Sequence, residues 1–178
     1  MTDTKNMFLH RRSVRRYTSE PVTEEELKTI IACGLCAPSG HGRYAGELVA
    51  VTDRAVLEKL AGSRTGSANM LKEAGAAVVV IGSETSDTWV EDCSAVMENM
   101  HQACDMEGLG SCWIQGRNRT AEDGRTSDEY VREIIGYPED RHLEAILAVG
   151  HPAVHPQTRE ETDLKWNKVS RNTYGKEF

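Results

Sequence analysis

Aromatic side chains are scarce in this sequence: Phe, Tyr and Trp together make up 6% of its 178 residues. Large rings dominate most protein cores, so one copy of the chain is expected to have a modest interior that a second copy would help to complete. Long apolar runs are missing as well. The longest, Ala74 to Gly82, is about half of the roughly 20 residues a membrane-spanning helix requires, and no membrane partner is expected. Positive charge is in deficit, because 28 acidic against 21 basic residues leave a net charge of -7. That balance gives no electrostatic ground for a nucleic-acid or anionic-membrane partner. The five cysteines (Cys33, Cys36, Cys93, Cys104, Cys112) form an odd set without a regular framework. No apolar N-terminal stretch or A-x-A cleavage site precedes them, so reduced thiols in the cytoplasm are expected. No repeat, low-complexity tract or linker divides the chain, which reads as one domain over residues 1–178.

What is present alternates between helix and strand. Thr23 and Glu26 have capping-box spacing, and the helix they open should run through Ala37 and stop before Pro38, with Leu27, Ile30, Ile31 and Leu35 on one face. Glu47 to Thr52 reads as a strand, and Asp53 can cap a short helix carrying Val56, Leu57 and Leu60. Ala76 to Ile81 is apolar at every position, which places it centrally in a sheet covered on both faces. From Asp87, Trp89, Cys93, Val96, Met97, Met100, Ala103 and Cys104 recur at helical steps until Gly108, giving the longest helix. Ser111 to Ile114 is a possible strand, Thr126 with Glu129 opens another capped helix through Ile135, and Leu143 to Val149 is the last strong strand. Residues 152–178 have no clear element yet hold Leu164, Trp166, Val169 and Tyr174. An arm that packs on this subunit or on a partner is the physical expectation.

Three segments carry chemistry. Arg11-Arg12-Ser13-Val14-Arg15-Arg16 concentrates four of the 21 cations in six positions. Guanidinium forks and a hydroxyl suit a phosphate, although a solvated basic face explains the same residues equally well. Ala37-Pro38-Ser39-Gly40-His41-Gly42-Arg43 is a small-residue loop after a capped helix; a flat ligand could approach its backbone, and an ordinary turn would look the same. Gly108-Leu109-Gly110-Ser111-Cys112-Trp113-Ile114-Gln115-Gly116 links the end of the longest helix to a strand and delivers Gln115 and Gly116 at its far end.

In this order the three segments resemble the FMN-dependent nitroreductase family. Further marks are Glu91-Asp92, Glu98-Asn99-Met100, Gly150-His151-Pro152 and Asn172-Thr173-Tyr174-Gly175, so the resemblance covers nearly the full length. It implies an α+β fold with a mostly antiparallel central sheet flanked by helices. It also implies a homodimer interlocked through the long helix and an exchanged C-terminal arm, with FMN at the interface. By position, Arg11, Arg12, Ser13 and Arg15 match the family segment that holds the phosphate and the pyrimidine edge of the flavin. Pro38, Ser39 and Gly40 match the loop that reaches the ring from the partner chain, Arg43 matches a residue shared with some members, and Gln115 with Gly116 match the segment facing flavin N5. The activity implied is ping-pong transfer of electrons from NADH or NADPH, through FMN, to a nitroaromatic, quinone or related acceptor, with no covalent nucleophile.

The chain departs from the family pattern twice. Gly42-Arg43-Tyr44-Ala45-Gly46 stands where Asn-x-Gln-Pro-Trp is common, and Glu160-Glu161-Thr162-Asp163-Leu164 is acidic where a late basic residue is usual, leaving Arg159 or Lys165 to substitute. A flavin carrier or sensor without turnover, or a different flavin reaction on the same scaffold such as small-metabolite dehydrogenation, stays open beside the reductase. Cys33-x-x-Cys36 lies within a predicted helix, where small apolar packing is the expected role. The six histidines are dispersed, and no metal site is expected.

Overall fold

The computed structural model describes residues 4–178. Four strands form one antiparallel sheet in the order β1 (Gly46–Val51), β2 (Ala76–Ser83), β4 (Arg141–Gly150), β3 (Gly110–Gln115). The two central strands, β2 and β4, hold the longest apolar segments, broken in β4 by Glu144. Strands buried on both faces need no polar alternation, and every residue of β2 is buried.

The two faces carry separate cores. Ala76, Val78 and Val80 of β2, with Ala145, Leu147 and Val149 of β4, pack on α2 (Glu24–Leu35) and α4 (Trp89–Met106) through Leu27, Ile30, Cys93, Met97, Met100 and Cys104. The intervening residues Ala77, Val79, Ile81, Ile146 and Ala148 face α3 (Arg54–Leu60) and α5 (Ser127–Ile135) through Leu57, Leu60 and Val131. A bulge interrupts the alternation: Val80 pairs with Ala145 and Ile81 with Leu143, so Glu144 is an extra residue in β4. Bulges bend a strand and re-aim a side chain.

Local chemistry sets the element ends. The Glu26 N–H bonds the Thr23 hydroxyl at 3.2 Å while the Glu26 carboxylate accepts the Thr23 N–H at 2.7 Å, and Thr126 with Glu129 repeats the arrangement. The first of these helices stops at Leu35, two residues earlier than expected. The Ala37 N–H turns back to the Gly34 carbonyl at 2.9 Å in a tightened last turn, because Pro38 disfavours helical backbone at Ala37. Cys33 therefore packs against the core while Cys36 lies outside the helix and is exposed, contrary to the packing role expected of it; both thiols are free. The long helix closes with Gly108 at φ +75, the Leu109 N–H on the Cys104 carbonyl and the Gly108 N–H on the Asp105 carbonyl, the two bonds of a Schellman cap.

Beyond β4 the chain runs beside the N-terminal segment. The Ala153 N–H bonds the Arg16 carbonyl and the Arg159 N–H bonds the Leu9 carbonyl, just before the end of α1 (Thr4–His10). Past Arg159 it forms two short 3-10 turns, with Trp166, Val169, Tyr174 and Phe178 exposed. No described helix is long and apolar enough to cross a membrane.

Candidate functional site

The Arg11–Arg16 segment leaves α1 and runs alongside the start of β3. Ser13 bridges Ser111, and the Val14 N–H bonds the Ser111 carbonyl at 2.9 Å, while Val14 is buried. Tyr17 anchors the segment's far end, its hydroxyl donating to the Val14 carbonyl at 2.8 Å. With Val14 and Tyr17 turned into the core, Ser13 and Arg15 are left on the outer side.

Arg11 donates from a terminal nitrogen to Nε2 of His101 at 2.8 Å. A guanidinium only donates, so Nε2 accepts and the ring proton lies on Nδ1, directed at the Ser111 hydroxyl. Burial first, and the Arg11 charge second, push His101 down to about 4. It is a neutral brace. The Nε of Arg11 is buried without a hydrogen-bond partner, which leaves an unsatisfied cationic donor in the segment. Arg12 is held in close contact with the Gln157 carbonyl of the arm, and Arg15 is exposed. The Arg159 guanidinium lies on the Arg11 carbonyl at 3.3 Å.

The Pro38–Gly40 loop sits at the opposite end of α4. Its geometry is fixed by Asp92, a buried carboxylate that accepts the Ser39 hydroxyl at 2.7 Å and the Gly40 N–H at 2.8 Å. Burial alone would raise this acid, but the hydrogen bonds from Gly40, Ser39, Ala45 and Thr88 outweigh it and hold the group ionised. Gly40 packs so tightly on Thr88 that an added Cβ would lie 2.2 Å from its hydroxyl oxygen. Arg43 pairs with Asp87 at 3.0 Å on the surface. His41 and Tyr44 both adopt positive φ, which gives the Gly42–Gly46 stretch a path unlike an ordinary turn.

Gln115 and Gly116 end β3. The N–H groups of Gly116 and Arg117 converge on the carbonyl of Glu144 at the bulge, each at 3.0 Å. The Gln115 amide donates to the Glu144 carboxyl at 3.0 Å and accepts from the Trp113 indole at 2.8 Å. Glu144 is buried with its second oxygen unpartnered, and burial pushes this acid up.

The three segments are contiguous in sequence, but the side chains that hold them are not: Asp92 stands in sequence only as part of the Glu91-Asp92 pair, and His101 lies on the apolar face of α4. A glutamate inside the otherwise apolar run Leu143–Val149 was the available signal for Glu144. His10 and His155, dispersed along the sequence, come together around Asp105.

A model of the nitroreductase family matches residues 9–151. The chain belongs to the nitroreductase family. An FMN-dependent nitroreductase from Clostridium difficile R20291 is 34% identical and superposes with a TM-score of 0.93, over 96% of this chain and all of that one. An NADPH-flavin oxidoreductase of Vibrio harveyi is 28% identical over 175 residues, which are 89% of this chain and 70% of that protein. An oxygen-insensitive NADPH nitroreductase of Salmonella typhimurium is 25% identical over 176 residues, again 89% and 70%. The nitroreductase match begins at Leu9, just before the arginine segment, and ends at His151, where the arm leaves β4.

Proposed function

We propose that this nitroreductase is an FMN-dependent oxidoreductase that takes electrons from NADH or NADPH and passes them to a nitroaromatic, quinone or related organic acceptor, as a homodimer in the cytoplasm. The observation that carries the reading is the Arg11–Arg15 segment, with its buried, unpartnered Arg11 Nε beside Arg12, Ser13 and Arg15. Such a donor set fits a phosphate monoester, which accepts several charge-assisted hydrogen bonds at once.

Arg11, Arg12 and Ser13 would hold the phosphate, and Arg15 of the same segment would serve the pyrimidine edge of the flavin. Arg159 would take the place of the late basic residue, a reading supported by its guanidinium lying 3.3 Å from the Arg11 carbonyl. When bound, FMN supplies the hydride chemistry, and the protein supplies binding and orientation. The Gln115–Gly116 corner, stiffened by Trp113 and the Glu144 carbonyl, would present a rigid wall to the ring. Asp92 keeps the Pro38–Gly40 loop compact while its own side chain stays charged.

The layout of the single chain supports the reading of a second copy. Asp92 and His101 are nine residues apart on α4, which is about 14 Å at 1.5 Å per residue. The loop thus lies well away from the arginine segment of its own chain, and a partner's loop completes the ring site. The exposed Trp166, Tyr174 and Phe178 give the arm an apolar surface to place on that partner.

The test is the visible spectrum of the purified protein followed by anaerobic titration with NADH and NADPH. Oxidised-flavin bands that bleach with either donor are expected. Flavin that stays oxidised with both donors would leave a carrier or sensor, and a colourless protein that cannot be reconstituted with FMN would remove the flavin reading.

A further inference from the structure

We propose that His10, Asp105 and His155 form a binding site for a transition-metal dication of the zinc class, which clamps the start of the C-terminal arm to the ends of α1 and α4. The three residues come from distant parts of the chain: the last position of α1, the last turn of α4, and five residues beyond β4. Their ligand atoms all lie within 4.8 Å of one another. Nδ1 of His10 is 2.8 Å from one oxygen of Asp105, and Nε2 of His155 is 3.6 Å from the other. The Asp105 side chain is only 11% exposed and offers one oxygen to each ring.

His155 decides between a simple ion pair and a ligand set. Its Nδ1 lies 2.8 Å from the Pro156 carbonyl, which can only accept, so Nδ1 carries a proton. In the neutral ring Nε2 then bears a lone pair, and that atom is buried without a hydrogen-bond partner. A lone pair facing a carboxylate oxygen is repulsive unless positive charge stands between them. A backbone carbonyl that fixes the far nitrogen is also the usual support of a metal-binding histidine.

A proton on each ring would serve less well. The His10 and His155 rings stack with centroids 4.6 Å apart and planes at 28°, so two protonated rings would place two cations face to face. One dication shared by two neutral rings and a carboxylate gives every group a partner. Two imidazoles with one carboxylate suit zinc and its neighbours rather than magnesium or calcium, which take oxygen ligands. Metal–ligand bonds of about 2.0–2.2 Å in tetrahedral geometry put ligand atoms roughly 3.3–3.5 Å apart, and the two short separations here bracket that value. His10 is exposed enough, at 55% of its side chain, to admit the ion and leave the fourth position to water. The Arg11 and Arg12 guanidiniums are engaged by His101 and the Gln157 carbonyl.

This site stands apart from the flavin reading and is tested separately. Tag-free protein carrying its flavin is treated with chelator, exchanged into clean buffer and titrated calorimetrically with Zn2+, beside His155→Ala and His10→Asn. Expected is one equivalent per chain for the wild type and affinity at least about tenfold weaker in each variant, since even an outer-shell partner is worth 10–100-fold. The wild type loaded with one equivalent of Cu2+ gives a readout free of folding effects: its electron paramagnetic resonance spectrum should show two imidazole nitrogens. No saturable Zn2+ binding, equal binding in both variants, or a Cu2+ spectrum with fewer than two nitrogens would overturn the proposal and leave the triad a proton-linked ion pair.

Discussion

Arg11, His101 and Ser111 form a chain of donors and acceptors that works only with a neutral imidazole. His101 sits at about 4 in the folded protein against an ordinary 6.5. Because the folded value is the lower one, the stabilisation is complete above about pH 6.5 and is lost as pH falls toward 4. A gap of that size corresponds to on the order of 3 kcal/mol. Urea unfolding should accordingly lose stability between pH 6.5 and 4, and His101→Gln should flatten that slope. An unchanged slope would remove His101 from the account. Glu144 has the opposite sign: burial raises it, so stability falls as pH climbs through its folded value. Glu144→Gln should therefore gain stability relative to wild type at pH 8 and not at pH 4. Among the outward residues, Ser13→Ala combined with Arg15→Ala should strip FMN from a protein whose circular dichroism is unchanged. Full flavin occupancy in that double variant would take the phosphate role away from this segment.

Helix α4 supports both the Pro38–Gly40 loop and the Arg11–Arg16 segment, with Asp92 in its first turn and His101 toward its last. Replacing Asp92 by Ala leaves the Ser39 hydroxyl and the Gly40 N–H without their acceptor, at roughly 1–3 kcal/mol for each donor that water cannot reach. A lowered melting temperature is expected, partly restored in Asp92→Asn, whose amide oxygen can still accept one bond. A melting temperature equal to wild type for Asp92→Ala would mean that the loop is held by other contacts. The approach of α2 to α4 depends on Gly34, where an added Cβ would lie 2.6 Å from Met100 Cγ. Gly34→Val should cost about 1–3 kcal/mol through overpacking, read as a drop in denaturation midpoint without loss of helix signal.

Taken as a whole, the molecule has a well-filled interior on both faces of its sheet and an arm that does not close on it. Trp166, Val169, Tyr174 and Phe178 remain exposed in one chain. Sedimentation or light scattering at micromolar concentration should give twice the chain mass of 19.7 kDa. Removing residues 160–178 should lower that mass toward a single chain and release flavin. A wild-type protein that runs as one chain with its flavin bound would refute the shared site.

The sequence by itself determined the four strands and the helices from α2 onward, in their order along the chain, but not α1 or the short 3-10 turns. Apolar periodicity marked the strands and helices, because burial of one face is a local property of spacing, and the capping boxes at Thr23 and Thr126 are local hydrogen bonds readable from four residues. The Arg-Ser-Arg segment, the Pro-Ser-Gly loop and the Gln-Gly corner could be proposed from sequence, since each is contiguous. Tertiary structure alone decided their supports. Asp92 reaches Ser39 across 53 positions and His101 reaches Arg11 across 90, and no pattern of spacing records such a contact. The bulge that re-aims Glu144 exists only in the register between β2 and β4. His10 and His155 looked dispersed because they are 145 positions apart, and they stack because the arm folds back along α1, a path set by backbone hydrogen bonds that carry no residue identity.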